Sequence, residues 1–342
     1  MLIDSGRLTN PARIDPVAAG KLISAGNLAV IQFDSPPANP AVLAQVNALC
    51  RDHKAALQVR FYGFYRHKFD AALLGHLPDV VSLAVDCLSG IENVEALANL
   101  PRLERLSLGV HDLDRPDVLD LLRLEQLTHL SLGQTRKSNF DLLPLRRCAV
   151  LEQLFVHGHW RNADAITGLP RLSALTLSGF PKRASLDFVA AVQPLRQLRL
   201  LLGSRDSIAE LEHPGIERLG LCWVRGLSEL GPMGRFAALR ELSLEHQLRL
   251  SAINLSGSRL ERLRLMNCKT LTTIDGLERL ACLRELMVSE TALDLDALRD
   301  ADWGPALEVI GLYSGKARWN DAAREALAAR GYRHKGGPWL WT

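Results

Sequence analysis

The chain has 342 residues, of which 47% are hydrophobic and 23% charged. That is ordinary globular composition, and it excludes disordered, collagen-like and disulfide-scaffold classes. Its 41 basic and 38 acidic side chains leave a net charge of +3, too balanced to point to nucleic acid or a membrane surface. Aromatics are only 6%, whereas leucine is abundant, and its spacing is informative.

The N-terminus reads Met-Leu-Ile-Asp-Ser-Gly-Arg, with no basic stretch leading into an apolar core, so no secretory signal is expected. No apolar run reaches the roughly 18 residues of a membrane-crossing helix. Leu28, Ile31 and Phe33, then Ala56, Val59 and Phe61, share a spacing that predicts two early strands. Pro36, Pro37 and Pro40 break the chain between them. Pro40 to His53 reads as a short helix with Val42, Leu43, Val46 and Leu49 on one face.

From Val80 onward one pattern recurs: apolar-x-x-apolar-x-apolar. It begins with Val80, Leu83, Val85 and Leu103, Leu106, Leu108, and it ends with Leu307, Ile310, Leu312. The middle anchors fall at 83, 106, 130, 154, 175, 198, 219, 242, 263, 286 and 310, in steps of 21 to 24. A fixed period is the signature of stacked repeats. Alternation places two apolar side chains on one face of a short strand, and the residues between them face the other way. Apolar residues every three positions, as in Ile91, Val94, Leu97, Leu100 and Leu271, Ile274, Leu277, Leu280, are predicted to fill the back of each unit. Asp114, Pro116 and Asp117, and likewise Ser185 and Asp187, read as helix starts. Near the end, Asn320 is expected to cap a helix running to about Arg330, with Gly331 ending it. Trp339 and Trp341 are expected to fold over the last repeat, with a docking peptide as the alternative.

The six cysteines, at 50, 87, 148, 222, 268 and 282, form no Cys-x-x-Cys and read as free thiols in a reducing compartment. Nucleophile-elbow, zinc-helix and dinucleotide-fingerprint motifs are absent. Gly311 to Lys316 has the wrong spacing for a phosphate loop and crosses a predicted strand. His157 and His159 form a His-x-His pair without an evident third ligand, so recognition or turn hydrogen bonding is expected there. His111, Asp112 and Asp114 are read as helix-capping residues.

The strand motif resembles that of leucine-rich repeat proteins, in particular the short internalin-like repeats. The clearest stretch is Leu-Glu-Arg-Leu-Arg-Leu-Met-Asn-Cys-Lys-Thr-Leu-Thr-Thr-Ile-Asp-Gly-Leu-Glu-Arg-Leu, from Leu260 to Leu280. The resemblance covers about residues 77–315. It implies a curved solenoid that binds other macromolecules. The family places Asn or Cys three residues after the last strand leucine. Here that position holds Leu88, His111, Thr135, His159, Phe180, Gly203, Val224, Gln247, Cys268, Thr291 and Gly315, so only Cys268 matches. The internal polar ladder is therefore expected to be largely missing. Cys50-Arg51-Asp52 matches a triplet of leucine-rich bacterial ubiquitin ligases, but those enzymes carry a helical catalytic domain after the repeats and residues 316–342 are too few for one, so ligase activity is not expected.

The expected class is α/β: a curved leucine-rich repeat solenoid with about 11–13 parallel strands on the concave face, short helices and turns on the convex face, and caps at both ends. Residues 1–76 form the first cap with one or two degenerate repeats, 77–315 the array, and 316–342 a capping helix with a Trp-rich tail. The expected role is non-enzymatic recognition of a protein partner on the concave face, in the cytoplasm, by a monomer. A bacterial effector delivered to a host is the alternative, followed by an enzyme whose site is built on the repeats. No catalytic, cofactor or metal residues are expected, nor a nucleic-acid or membrane partner. The candidate binding residues are Phe155, His157, Arg199, Leu201, Arg218 and Trp223, expected to stand close on neighbouring strands and chosen because aromatic and Arg side chains dominate interfaces.

Overall fold

The computed structural model describes residues 4–334. Trp339 and Trp341 lie outside the described residues. The chain forms two compact units, Met1–Leu172 and Ser173–Thr342. Among the described residues, the main-sheet strands are all parallel, seven in each unit.

In the first unit the strands are β1 (Arg7–Thr9), β2 (Val30–Phe33), β3 (Gln58–Gly63), β4 (Ser82–Cys87), β5 (Arg105–Leu108), β6 (His129–Leu132) and β7 (Gln153–His157). Their register is set by the apolar anchors. Leu8, Ile31, Val59, Leu83, Leu106, Leu130 and Leu154 stand opposite one another across successive pairs. The second unit contributes β8 (Ala174–Ser178), β9 (Gln197–Leu201), β10 (Arg218–Cys222), β11 (Glu241–Glu245), β12 (Arg262–Met266), β13 (Glu285–Ser289) and β14 (Val309–Tyr313). Here the matching row is Leu175, Leu198, Leu219, Leu242, Leu263, Leu286 and Ile310. All these anchors are buried. The fourteenth strand, beyond the eleven to thirteen expected, is β1. Its single inward residue, Leu8, provides no Leu-x-Leu signal.

The back of the repeats is built largely from 3-10 turns, such as Val94–Asn99, Ala163–Gly168 and Leu277–Arg279. A repeat of 21 to 24 residues leaves little chain for an α-helix. Apolar residues every three positions match the three-residue turn of a 3-10 helix and stack on one side of it. Val94, Leu97, Leu100, Leu271, Leu277 and Leu280 are buried accordingly, while Ile91 and Ile274 are half-buried. Those two lie in short parallel pairings of the back, Phe69–Asp70 with Ile91–Glu92 and Ala252–Asn254 with Thr273–Asp275.

Two helices precede the repeats. In α1 (Pro16–Ser24), Asp15 accepts from the N–H groups of Val17 and Ala18, and Pro16 occupies the first turn. Helix α2 (Ala41–His53) buries Val42, Leu43, Val46 and Leu49, as the spacing predicts. Helix α3 (Val118–Leu121) departs from expectation. Asp117 flanks it without a side-chain cap bond and pairs with Arg115 at 3.0 Å, while Asp112 pairs with Arg136 at 2.9 Å. These acids bind guanidinium groups rather than capping a helix. Ser185 does accept from the Asp187 N–H, ahead of the 3-10 turn Asp187–Ala191. After α4 (Leu295–Asp300), helix α5 (Ala317–Ala329) starts earlier than expected. Asn320 lies inside it, and its Oδ1 accepts from the Ser314 N–H at 2.9 Å. Beyond α5 the chain lies along β14: Ile310 N–H donates to the Arg333 carbonyl, and Arg333 N–H to the Glu308 carbonyl.

The polar ladder is largely missing, as expected, but four of its eleven positions keep a buried donor. Thr135, His159, Gln247 and Cys268 are buried at the former Asn/Cys position. Each donates to a backbone carbonyl: Thr135 to Ser138, His159 to Gly133, Gln247 to Glu245, and Cys268 to Met266. A buried carbonyl without a partner costs free energy, and several side chains can satisfy it.

At Phe180 and Gly203 the same position is filled by volume instead. A Cβ on Gly203 would lie 2.0 to 2.3 Å from three ring atoms of buried Phe180. Gly203→Ala is therefore expected to destabilise the second unit by about 1–3 kcal/mol through overpacking. Urea denaturation checks this, and Phe180→Leu in the same background should recover part of the loss. An unchanged midpoint in Gly203→Ala would show that the ring yields freely.

Candidate functional site

The side chains between the strand leucines point away from the core, though several are covered, among them Ser243, Arg264 and Met287, and their chemistry differs along each strand. At the start of the strands in the second unit, Arg218, Glu241, Arg262 and Glu285 stand opposite one another on β10 to β13. Arg218 lies 3.8 Å from Glu241, Arg262 pairs with Glu241, and Arg262 lies 3.6 Å from Glu285. Burial alone would lower the Arg262 pKa, but the two flanking carboxylates outweigh it and raise it. Cross-strand opposite charges each contribute roughly 0.2–1 kcal/mol, so this stripe is a self-neutralised part of the sheet. Arg218 belongs to it.

At the far end of the strands lies a second column. Gly179, Leu202, Trp223, His246, Asn267 and Glu290 each follow a strand and adopt positive φ, between 49° and 66°. Each N–H donates to the last residue of the next strand. Gly179 donates to Leu201, Leu202 to Cys222, Trp223 to Glu245, His246 to Met266, Asn267 to Ser289 and Glu290 to Tyr313, at 2.9 to 3.1 Å. The left-handed residue turns the chain toward the back while extending the sheet's ladder by one bond. Leu and Trp rarely occupy this region, because the Cβ crowds the backbone. Leu202 is nonetheless 51% exposed and Trp223 43% exposed. The Trp223 indole stacks on the His246 imidazole, with ring centroids 4.2 Å apart. Leu202, Trp223, His246 and the exposed Leu248 line a cleft of about 590 Å³.

The candidate residues of the second unit thus fall in different places. Arg199 and Leu201 share one face of β9, half-buried. Arg218 opens β10, and Trp223 follows its end. Five residues of extended strand separate them by about 17 Å, so they are not the neighbours the sequence reading expected. That reading missed Leu202, His246 and Leu248. For Leu202 and His246 the available signal was the second position after the last leucine of the repeat motif, a turn position that also holds Trp223; Leu248 gave no such signal.

In the first unit, Phe155 and His157 lie half-buried on β7, edge to face, with ring centroids 6.3 Å apart. Burial lowers the His157 pKa below its ordinary value. His159 is buried and stacks on Phe140 at 4.0 Å. Its Nδ1 accepts from the Phe140 N–H at 3.1 Å, so Nε2 carries the proton and donates to the Gly133 carbonyl at 2.9 Å. Both nitrogens are committed to the turn, as the hydrogen-bonding reading anticipates. Among the described residues, no group of three His, Cys, Asp or Glu could hold a metal ion.

No family model and no curated protein sequence matches this chain. Among solved structures, it is similar to the internalin inlF of Listeria monocytogenes, with TM-score 0.51 and 12% identity over 92% of this chain and 88% of that one. The functional domain of InlJ from Listeria monocytogenes gives TM-score 0.44 and 15% identity, covering 90% of this chain and 63% of that one. A leucine-rich repeat protein of Leptospira interrogans gives TM-score 0.41 and 14% identity, covering 96% and 93%. The fold is thus an internalin-like leucine-rich repeat. Among the described residues, no helix is long and apolar enough to cross a membrane.

Burial lowers the His159 pKa below its ordinary value, chiefly by desolvation. The unfolded chain takes up this proton near pH 6.5 and the folded chain resists it, so the folded state binds fewer protons in that range. Its contribution to stability therefore falls as pH drops below about 6.5 and is fully present above it. Thermal unfolding between about pH 5 and pH 8 should show this slope in the wild type and a flatter one in His159→Gln, which keeps a donor and an acceptor but cannot titrate. Equal slopes would assign the effect to other groups.

Proposed function

We propose that the chain is a non-enzymatic recognition module that binds a protein partner through the solvent face of its sheet. The observation that carries this reading is the exposure of Trp223 and Leu202 on left-handed backbone. Large apolar side chains left in solvent mark interaction sites, and backbone strain concentrates where function requires it. Arg199, Leu201, Arg218 and Trp223 are the proposed contacts in the second unit, and Phe155 and His157 in the first. The likeness to an internalin supports the fold, whereas the function rests on these residues.

A catalytic role draws no support from the strongest sequence candidates. His159 spends both ring nitrogens on backbone groups. Burial pushes the Cys50 thiol up to about 12, so it is not a thiolate at neutral pH. A reducing, cytoplasmic setting is part of the proposal. All six cysteines are free, and burial also holds Cys87 and Cys148 at about 12 and Cys268 at about 11. We further read residues 1–76 and 316–342 as the ends that shield the array. The buried face of α2 and the pairing of Arg333 with the edge of β14 support that reading.

Affinity capture from the native source with the full chain tests the site. Arg199→Glu and Trp223→Gly should each lose partners that the wild type retains, by about tenfold or more if these are hot spots. Glycine is chosen at 223 because φ is +53° there, a conformation it adopts without strain. Unchanged capture by both variants would remove these residues from the interface.

A further inference from the structure

The cleft at the end of β9 to β11 has a second property besides exposed apolar surface. Its rim carries three cations, Lys182, Arg225 and Arg249, against one carboxylate, Asp206. Lys182 and Asp206 pair at 2.6 Å and cancel. Glu245 lies on the sheet side and faces His246 at 3.7 Å. Among the described residues, the side chains of Arg225 and Arg249 have no hydrogen bond or ion pair, and both are exposed. The contrast with the Arg218–Glu241–Arg262–Glu285 stripe is direct. There every guanidinium has a carboxylate beside it, whereas here two have none.

We propose that this cleft seats an acidic peptide segment of the partner, with an aromatic or aliphatic side chain between its carboxylates. This rests on the recognition role proposed above and specifies its ligand. The Trp223–His246 stack, with Leu202 and Leu248 beside it, forms an apolar bed for one ring or branched side chain. Its volume of about 590 Å³ suits a short segment rather than a whole domain surface. The planar guanidinium of Arg matches a carboxylate with two parallel hydrogen bonds, so Arg225 and Arg249 favour Asp or Glu on either side of the anchor. Nucleic acid fits less well. A phosphate backbone calls for a longer basic stripe, and the two exposed leucines offer it nothing.

The test is a selection of displayed random linear peptides on the full chain at physiological salt, run in parallel on an Arg225→Glu/Arg249→Glu variant. The wild type is expected to enrich sequences with Asp or Glu flanking an aromatic or aliphatic residue, and the variant to lose them. A labelled peptide of that consensus should then bind Trp223→Gly and the double variant about tenfold or more weakly than wild type. Circular dichroism and urea midpoints of the variants exclude unfolding as the cause. The proposal is overturned by no enrichment, by enrichment without acidic bias, or by consensus binding that the variants leave unchanged. Displacement of the peptide by a single-stranded oligonucleotide whose binding needs Arg225 and Arg249 overturns it in favour of nucleic acid. A native partner captured through Trp223 but not displaced by the consensus peptide overturns the acidic-peptide chemistry alone and leaves the recognition role standing.

Discussion

Everything in this molecule depends on one constraint: a single strand with its turn cannot bury its own apolar face. Leu219 is covered because Leu198 stands opposite on one side and Leu242 on the other. The same holds for each row of anchors within each unit. The step of 21 to 24 residues is the chain length that returns the next leucine beside the previous one, about 4.8 Å away. The tight 3-10 turns of the back follow from the same limit, since a full α-helix would need more residues than the period leaves. Stability in such a stack is a sum over nearest neighbours, so a defect in one repeat weakens two interfaces.

The repeats were legible because they obey two periods at once, two along the strand and 21 to 24 along the chain. Leu83 to Ile310 could be placed in register from spacing alone. Helix α2 was legible for a similar reason, since Val42, Leu43, Val46 and Leu49 define one face. Other features left weaker traces. Strand β1 contributes one inward leucine, below what periodicity can detect. Asn320 resembles a helix cap in sequence, but the helix starts before it and its amide serves the Ser314 turn instead. The buried donors at Thr135, His159 and Gln247 escaped because the position was sought by residue identity. Where a turn leaves a carbonyl to satisfy, Thr, His, Gln and Cys all supply a donor, while Phe180 and Gly203 fill the same place by volume.

The binding residues were only partly legible, and the reason is geometric. Alternation tells which side of a strand a residue faces but not how far along it lies. Arg218 and Trp223 look close in sequence and stand at opposite ends of β10. The turn column left only a positional signal, because its residues share a backbone angle rather than a side-chain type. Two surfaces result. One is an ion-paired stripe that stabilises the sheet, and the other is an apolar and basic cleft whose charge is not satisfied within the described residues.

The left-handed column has a consequence of another kind. Gly179, Leu202, Trp223, His246, Asn267 and Glu290 contribute the same backbone bond to the ladder whatever side chain they carry. None of them is a core leucine. The row therefore works like a line of interchangeable type, one character per repeat at strand spacing. A change of side chain there rewrites what the edge of the sheet presents while the packed interior stays as it was. In this chain the present text reads small, aliphatic, aromatic, imidazole, amide, acid. A duplication or loss of one repeat would insert or delete a single character, which gives a lineage of such proteins a way to change specificity in discrete steps.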